Sequence, residues 1–312
     1  MLSTLPFPLT IGFAGVLVLL VLGSLAAIVL PRMKPGKWDD LVPRMRSWWV
    51  ICLLVGGALV LGWQVFTILF AFISFIALKE FMTLAPTRRE DRLVVLFTYL
   101  ALVASYAAVW INNYAYFLVT IPVYVFLLTA LLLTLSGRTE GFLSTAGIMQ
   151  WGMVVCVFNL GHVAFLMRVP AEEVPQAGPA GLVFLLIMIT QLNDVTQYIW
   201  GKLLGRHKIS PRISPNKTWE GAIGGFLTTA LVFVCLAPYF TPLTLWPSIW
   251  IGLTLPVFGF FGDITMSAIK RDLGVKDTSR LIPGHGGALD RLGIVVRPSV
   301  QQGRQRHLRQ CS

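Results

Sequence analysis

Long apolar runs, separated by short basic loops, set the pattern of this chain. A helix that crosses a bilayer needs about 20 predominantly apolar residues. The first such run is Leu9 to Leu30. A loop with Arg32, Lys34, Lys37, Arg44 and Arg46 follows. The next run, Trp49 to Leu84, is 36 residues long and interrupted only by Lys79 and Glu80 near its end. As one helix it would measure about 54 Å, against a hydrocarbon core of about 30 Å. It must therefore turn once, and Gly62-Trp63 is the expected place. The remaining runs are Val94–Ile111, Tyr114–Leu135, Leu143–Arg168, Ala180–Trp200, Gly221–Phe240 and Leu243–Met266. The pattern predicts an all-α, polytopic integral membrane protein of about nine spans with one polar face.

Charge tests the split. With nine spans and the amino terminus outside, the inward regions are 31–48, 85–93, 136–142, 201–220 and everything after 266. These regions and the flanking helix ends hold every Lys and Arg except Arg168, while Glu172 and Glu173 fall outside. Positive residues accumulate in cytoplasmic loops, so the distribution supports both the turn and the orientation. Composition agrees: 56% of the 312 residues are hydrophobic and only 12% charged, where soluble domains carry roughly 25% charge. The net charge of +11 is accounted for by topology and does not call for a nucleic-acid partner. Cys52, Cys156 and Cys235 lie in apolar runs and Cys311 in the tail, with no CxxC pair. Neither a disulfide framework nor a zinc site is expected. The apolar start lacks a basic leader and an obvious cleavage site, and reads as a retained first helix. No fixed-period repeat or low-complexity stretch interrupts the pattern.

Three polar groups converge on the inner face. Thr190, Asn193, Asp194 and Gln197 lie in the seventh span, with 190, 194 and 197 on one helical stripe. An intramembrane carboxylate marks a functional site by default, although hydrogen bonding between helices would also account for such residues. The second group is the arm from Gly201 to Gly221, where Ser214, Lys217 and Thr218 precede a helix start. Hydroxyls, an ammonium and free backbone N–H groups together suit phosphate, and a basic loop with a helix cap is the plainer explanation. No P-loop pattern is present. The third group runs from Gly262-Asp263 through Ser267, Lys270, Arg271, Asp272, Lys276 and Asp277 to Pro283-Gly-His-Gly-Gly287 and Asp290-Arg291. Asp263 and Asp290 are oxygen donors of the kind Mg²⁺ prefers and shares with phosphates. Lys270, Arg271, Lys276 and Arg291 could neutralise those phosphates, and the glycine-rich turn could aim backbone N–H groups at an anion. His285 fits a structural hydrogen bond as well as a proton-transfer role. Ion pairing alone would explain Asp272 and Asp277.

The third group resembles the signature of the phosphatidate cytidylyltransferase (CDP-diglyceride synthase) family. That signature runs Ser-x-x-Lys-Arg, Lys-Asp, Pro-x-His-Gly-Gly and Asp-Arg-ϕ-Asp. Ser267, Lys270, Arg271, Lys276, Asp277, Pro283, His285, Gly286, Gly287, Asp290 and Arg291 stand at matching positions. Ser214 to Gly221 resembles the family's Ser-Pro-x-Lys-Thr-Trp-Glu-Gly. Asp194 resembles the Asp of its upstream Asp-Thr motif, though Val195-Thr196 follow here. The resemblance spans about 190–292 and divides the chain into N-terminal helices (1–179), a catalytic membrane region (180–292) and a basic tail (293–312). It implies attack by the phosphate of a membrane-held phosphatidate on the α-phosphorus of CTP, giving CDP-diacylglycerol and pyrophosphate. Asp263 and Asp290 are expected to hold Mg²⁺, with Asp194 nearby. Lys270, Arg271 and His285 complete the implied catalytic set. Ser214, Lys217, Thr218, Lys276 and Arg291 join Asp194 in the implied substrate set. Which cation meets nucleotide and which meets lipid stays open, as do an accompanying monovalent cation and a homodimer. The implied location is a bacterial inner membrane with the active face cytoplasmic.

One departure stands out. The signature ends in Asp, and position 293 is Gly. The tail after it is basic, polar and aperiodic, as a shifted reading frame or a truncation would leave it. The final carboxylate and a last apolar helix are therefore expected to be missing, which keeps a catalytically impaired paralogue as an alternative. A transporter is the alternative of another class, but it would place polar groups near the midplane of matched halves, and here they gather at the inner edge of one half.

Overall fold

A computed structural model describes residues 5–33, 41–85, 92–137 and 139–272. Among them run nine long helices, α1 (Phe7–Met33), α2 (Leu41–Leu61), α3 (Trp63–Leu84), α4 (Arg92–Trp110), α5 (Tyr114–Leu135), α6 (Phe142–Leu166), α7 (Gly178–Leu204), α8 (Trp219–Phe240) and α9 (Leu245–Asp272). Eight are long and apolar enough to cross a membrane, and the apolar part of α2, Met45–Leu61, is shorter. The chain is an integral membrane protein, nearly all-helical. The long run from Trp49 turns where its length required. Gly62 sits between α2 and α3 with φ 107°, in a region that residues with a Cβ rarely enter.

Two helices widen to π turns in mid-span, at Thr120–Val125 in α5 and Val154–Phe158 in α6. In α5 the cause is Pro122, which lacks an N–H and cannot continue the regular ladder. Gln150 Nε2 of α6 donates to the Ile121 carbonyl beside it at 3.3 Å, so the loosened backbone gains a partner from the neighbouring helix. Helices in lipid associate by packing and hydrogen bonding more than by apolar burial. Accordingly α3 to α6 pack around Phe66, Leu78, Phe117, Ile121, Met149 and Met153, all fully buried. The buried Tyr106 hydroxyl ties α4 to α3 through Ser74 Oγ (2.6 Å) and the Phe70 carbonyl (3.0 Å). Leu53, Phe72, Leu227 and Phe258 stay exposed, as side chains facing lipid do.

Helices α7, α8 and α9 form a second group, with α7 and α8 the most closely packed pair. α1 leans on α2, α7 and α8, and α2 bridges α7 to α3. Between α7 and α8 the expected inner arm folds as a two-stranded antiparallel hairpin, β1 (Lys208–Ser210) with β2 (Ser214–Thr218). Lys208 stands opposite Thr218, and Ser210 opposite Ser214. This hairpin is the one sheet among the described residues.

Candidate functional site

Small residues let α7 and α8 approach. Gly221 and Gly225 are four apart on α8, the small-xxx-small spacing of close membrane helix pairs. A Cβ on Gly221 would lie 2.9 Å from both the Gln197 carbonyl oxygen and Gly201 Cα, closer than a side chain can stand. Polar contacts reinforce the seam. Trp200 Nε1 donates to Thr228 Oγ1 at 2.9 Å, and the Thr196 and Thr229 hydroxyls meet at 3.2 Å. α9 joins through Asn193, which is 2% exposed and donates from Nδ2 to the Pro256 carbonyl at 3.1 Å. The amide oxygen of Asn193 and Gln197 Nε2 are buried without a hydrogen-bond partner. Asn193 is thus the cross-helix glue of this stretch. Thr190 bonds back to its own helix at Leu186 and Ile187.

The hairpin delivers Lys217 to this junction. Thr218 is extended (φ −124°, ψ 152°), and its hydroxyl accepts from Gly221 N–H at 3.2 Å, capping α8. Glu220, in the first turn of α8, accepts from the backbone N–H groups of Arg206 (3.1 Å) and His207 (3.2 Å), and contacts His207 Nδ1 at 2.6 Å. Trp219 N–H donates to the His207 carbonyl at 3.0 Å. Held from both sides, β2 presents Lys217, whose Nζ pairs with Asp263 Oδ2 of α9 and lies 4.4 Å from the centre of the Phe260 ring. The two side chains keep only 18% and 20% of their surface exposed. Asp194 of α7 is close enough for its charge to couple with both, and Lys270 acts on Asp263 from one face of α9. Asp263, Ser267 and Lys270 fall at i, i+4 and i+7, the same side of a helix. Arg271 Nε donates to the Ile213 carbonyl in the hairpin turn at 3.4 Å.

Of the residues singled out in the sequence, Lys217 and Asp263 therefore pair directly, Asp194 and Lys270 stand within electrostatic reach of them, and Thr218, next to Lys217, caps α8. Arg271 and Ser214 lie on the hairpin side. Asp290, His285, Lys276 and Arg291 lie outside the described residues, as do Asp277, the turn at 283–287 and Gly293. Ser267 to Asp272 continue α9 rather than starting a loop. Reading the sequence missed Glu220, His207 and Phe260 as supports of Lys217. The Gly221-xxx-Gly225 spacing was a readable sign of the α7–α8 contact. Among the described residues no three His, Cys, Asp or Glu side chains converge as a metal cluster. Asp194 and Asp263 are oxygen donors within electrostatic reach of each other, and the Lys217 ammonium pairs with Asp263. Such a donor set fits a hard divalent cation that also takes ligands from a phosphate.

Residues 42–296 match the family described as "Cytidylyltransferase family". The chain is 38% identical over 290 residues to "Uncharacterized protein YnbB" of Escherichia coli (strain K12), covering 91% of this chain and 94% of that protein. It is 40% identical over 121 residues to a phosphatidate cytidylyltransferase of Mycobacterium leprae (strain TN), 39% of each chain. It is 44% identical over 115 residues to one from Staphylococcus aureus (strain COL), 36% of this chain and 44% of that protein. The match thus spans about two fifths of the length of these two phosphatidate cytidylyltransferases.

Proposed function

Since the chain belongs to the cytidylyltransferase family and is a nucleotidyltransferase enzyme, we propose that it transfers the cytidylyl group of CTP to phosphatidate. The products are CDP-diacylglycerol and pyrophosphate. The observation that carries this reading is the Lys217–Asp263 ion pair between β2 and α9, with Asp194 of α7 within electrostatic reach of both. Both reactants are polyanions, and in-line attack by one on the other requires their charge to be offset and their atoms aligned. Lys217 offers an ammonium to a phosphate oxygen from a hairpin that Glu220 and Thr218 hold in place. Lys270 and Arg271 add positive charge about two turns beyond Asp263 along α9. The attacking phosphate monoester is already ionised at neutral pH, so no side chain is needed to remove a proton.

Asp194 and Asp263 would hold a divalent cation, Mg²⁺ in this reading, with Asp290 as a further ligand. Bound there, the cation would neutralise charge on the CTP phosphates. The polar site faces the cytoplasm of a bacterial inner membrane, where CTP is dissolved, and phosphatidate enters from the adjoining leaflet. Gly293, where the signature carries its last Asp, favours a second reading, a copy impaired in transfer. The test is incorporation of labelled CTP into lipid by purified protein in micelles containing phosphatidate. Turnover that Asp263→Asn abolishes supports the enzyme. Equal turnover by Asp263→Asn removes the metal assignment, and none by the unaltered chain supports the impaired copy.

A further inference from the structure

The end of the bundle away from the polar site carries a charged group that cytidylyl transfer does not use. Arg168 follows α6, and the loop after it leads to the start of α7 at Gly178. Asp194 lies 16 residues along α7 from that start, about 24 Å of helix. Arg168 is also the one Lys or Arg that the charge distribution leaves on the outer side, where topology disfavours a cation.

Among the described residues no carboxylate pairs with Arg168. The guanidinium carbon lies 3.7 Å from the ring centre of Trp63, the first residue of α3. Trp63 in turn meets Trp110, the last residue of α4, edge to face at 5.0 Å. Arg168 Nε is buried with no hydrogen-bond acceptor. Glu172 and Glu173 follow within the same loop and remain exposed, with neither in an ion pair with Arg168 among the described residues. Stacking on Trp63 satisfies the face of the guanidinium and leaves its edge, of which the terminal Nη groups, unlike the buried Nε, are within reach of a headgroup. That planar edge matches the oxygens of a phosphate better than any other common group at a bilayer surface. Trp63 and Trp110 mark the level of the headgroups, where indoles concentrate.

We propose that Arg168, stacked on Trp63, is a binding site for the phosphate of a phospholipid headgroup in the leaflet opposite the cytidylyltransferase site. The reading differs from simple stacking between α6 and α3, which needs no ligand. The test uses proteoliposomes containing a phospholipid with a photoreactive group near its glycerol, with the labelled peptides mapped by mass spectrometry. Label is expected on Trp63–Gln64 and on the segment from Trp110 to Tyr114, and it falls about tenfold in Arg168→Gln. Arg168→Lys keeps a charge over the ring but loses the planar fork, so its label falls by less. It also serves as the deciding variant should Arg168→Gln fail to fold. Wild-type label in the folded variants would overturn the proposal, as would equal label from a diacylglycerol carrying the same photoreactive group. Loss of label on adding inorganic phosphate, but not chloride at equal ionic strength, would assign the site to a soluble phosphate and overturn the lipid.

Discussion

Replacing Lys217 by Met isolates the contact on which the site is built. Lys217 and Asp263 are each about four-fifths buried, and removing one partner of a buried pair leaves the other charge uncompensated, at a cost of 3–5 kcal/mol. The low end applies here, about 3 kcal/mol, because part of each side chain reaches water and Lys270 also acts on Asp263. That is a factor of roughly 150 in the folding equilibrium. Asp263→Asn is milder, about 1–2 kcal/mol, because the freed ammonium can extend toward water on its flexible stem. The double variant Lys217→Met with Asp263→Asn removes both charges and should lie within about 1 kcal/mol of the parent, a coupling of about 3–4 kcal/mol. Reversible unfolding in mixed micelles measures the cycle, and labelled CTP incorporation measures function alongside it. Stability and activity should part company. The double variant folds nearly as well as the parent but stays inactive, while Lys217→Met alone loses about a hundredfold in kcat/KM. Additive destabilisation, with a coupling under about 0.5 kcal/mol, would refute the claim that the two charges support each other.

Other expectations follow from the same geometry. Gly221→Val forces a Cβ toward the Gln197 carbonyl and Gly201 and should destabilise the α7–α8 pair by about 1–3 kcal/mol, read as a lower melting point in detergent. Asn193→Ala removes the bond to the Pro256 carbonyl and should lower stability by about 1 kcal/mol. It should also speed proteolysis or hydrogen exchange in α9 more than in α3 to α6. Glu220→Gln keeps one acceptor but loses the charge that gathers Arg206 and His207, so the amides of those two residues should exchange faster while α8 remains helical. Chelation should stop cytidylyl transfer and added Mg²⁺ should restore it. Transfer that survives chelation would remove the cation from the mechanism.

Much of the fold could be read from the chain. Runs of apolar residues set the spans because lipid admits only backbone that is hydrogen-bonded within itself. The turn at Gly62 followed from length alone, since one helix of 36 residues overshoots the bilayer. Thr218 was legible as a helix start because capping is a local property of a few consecutive residues. The hairpin at 208–218 was not legible: its strands are short and its residues polar. Pairing depends on Glu220 holding Arg206 and His207 from the next helix. The π turn in α6 has no proline to announce it.

The site divides along the same line. The chemical types at 194, 217, 263 and 270, and their spacing within each segment, are properties of the chain and mark a candidate site. Partner choice between segments is not. That Lys217 pairs with Asp263, that Asn193 reaches the Pro256 carbonyl while neighbouring Asp194 faces the charges, and that Phe260 underlies the ammonium all depend on the rotation of α7 against α8 and α9. Packing of Gly221 and Gly225 sets that rotation, and periodicity along one helix carries no information about the angle at which its neighbour docks.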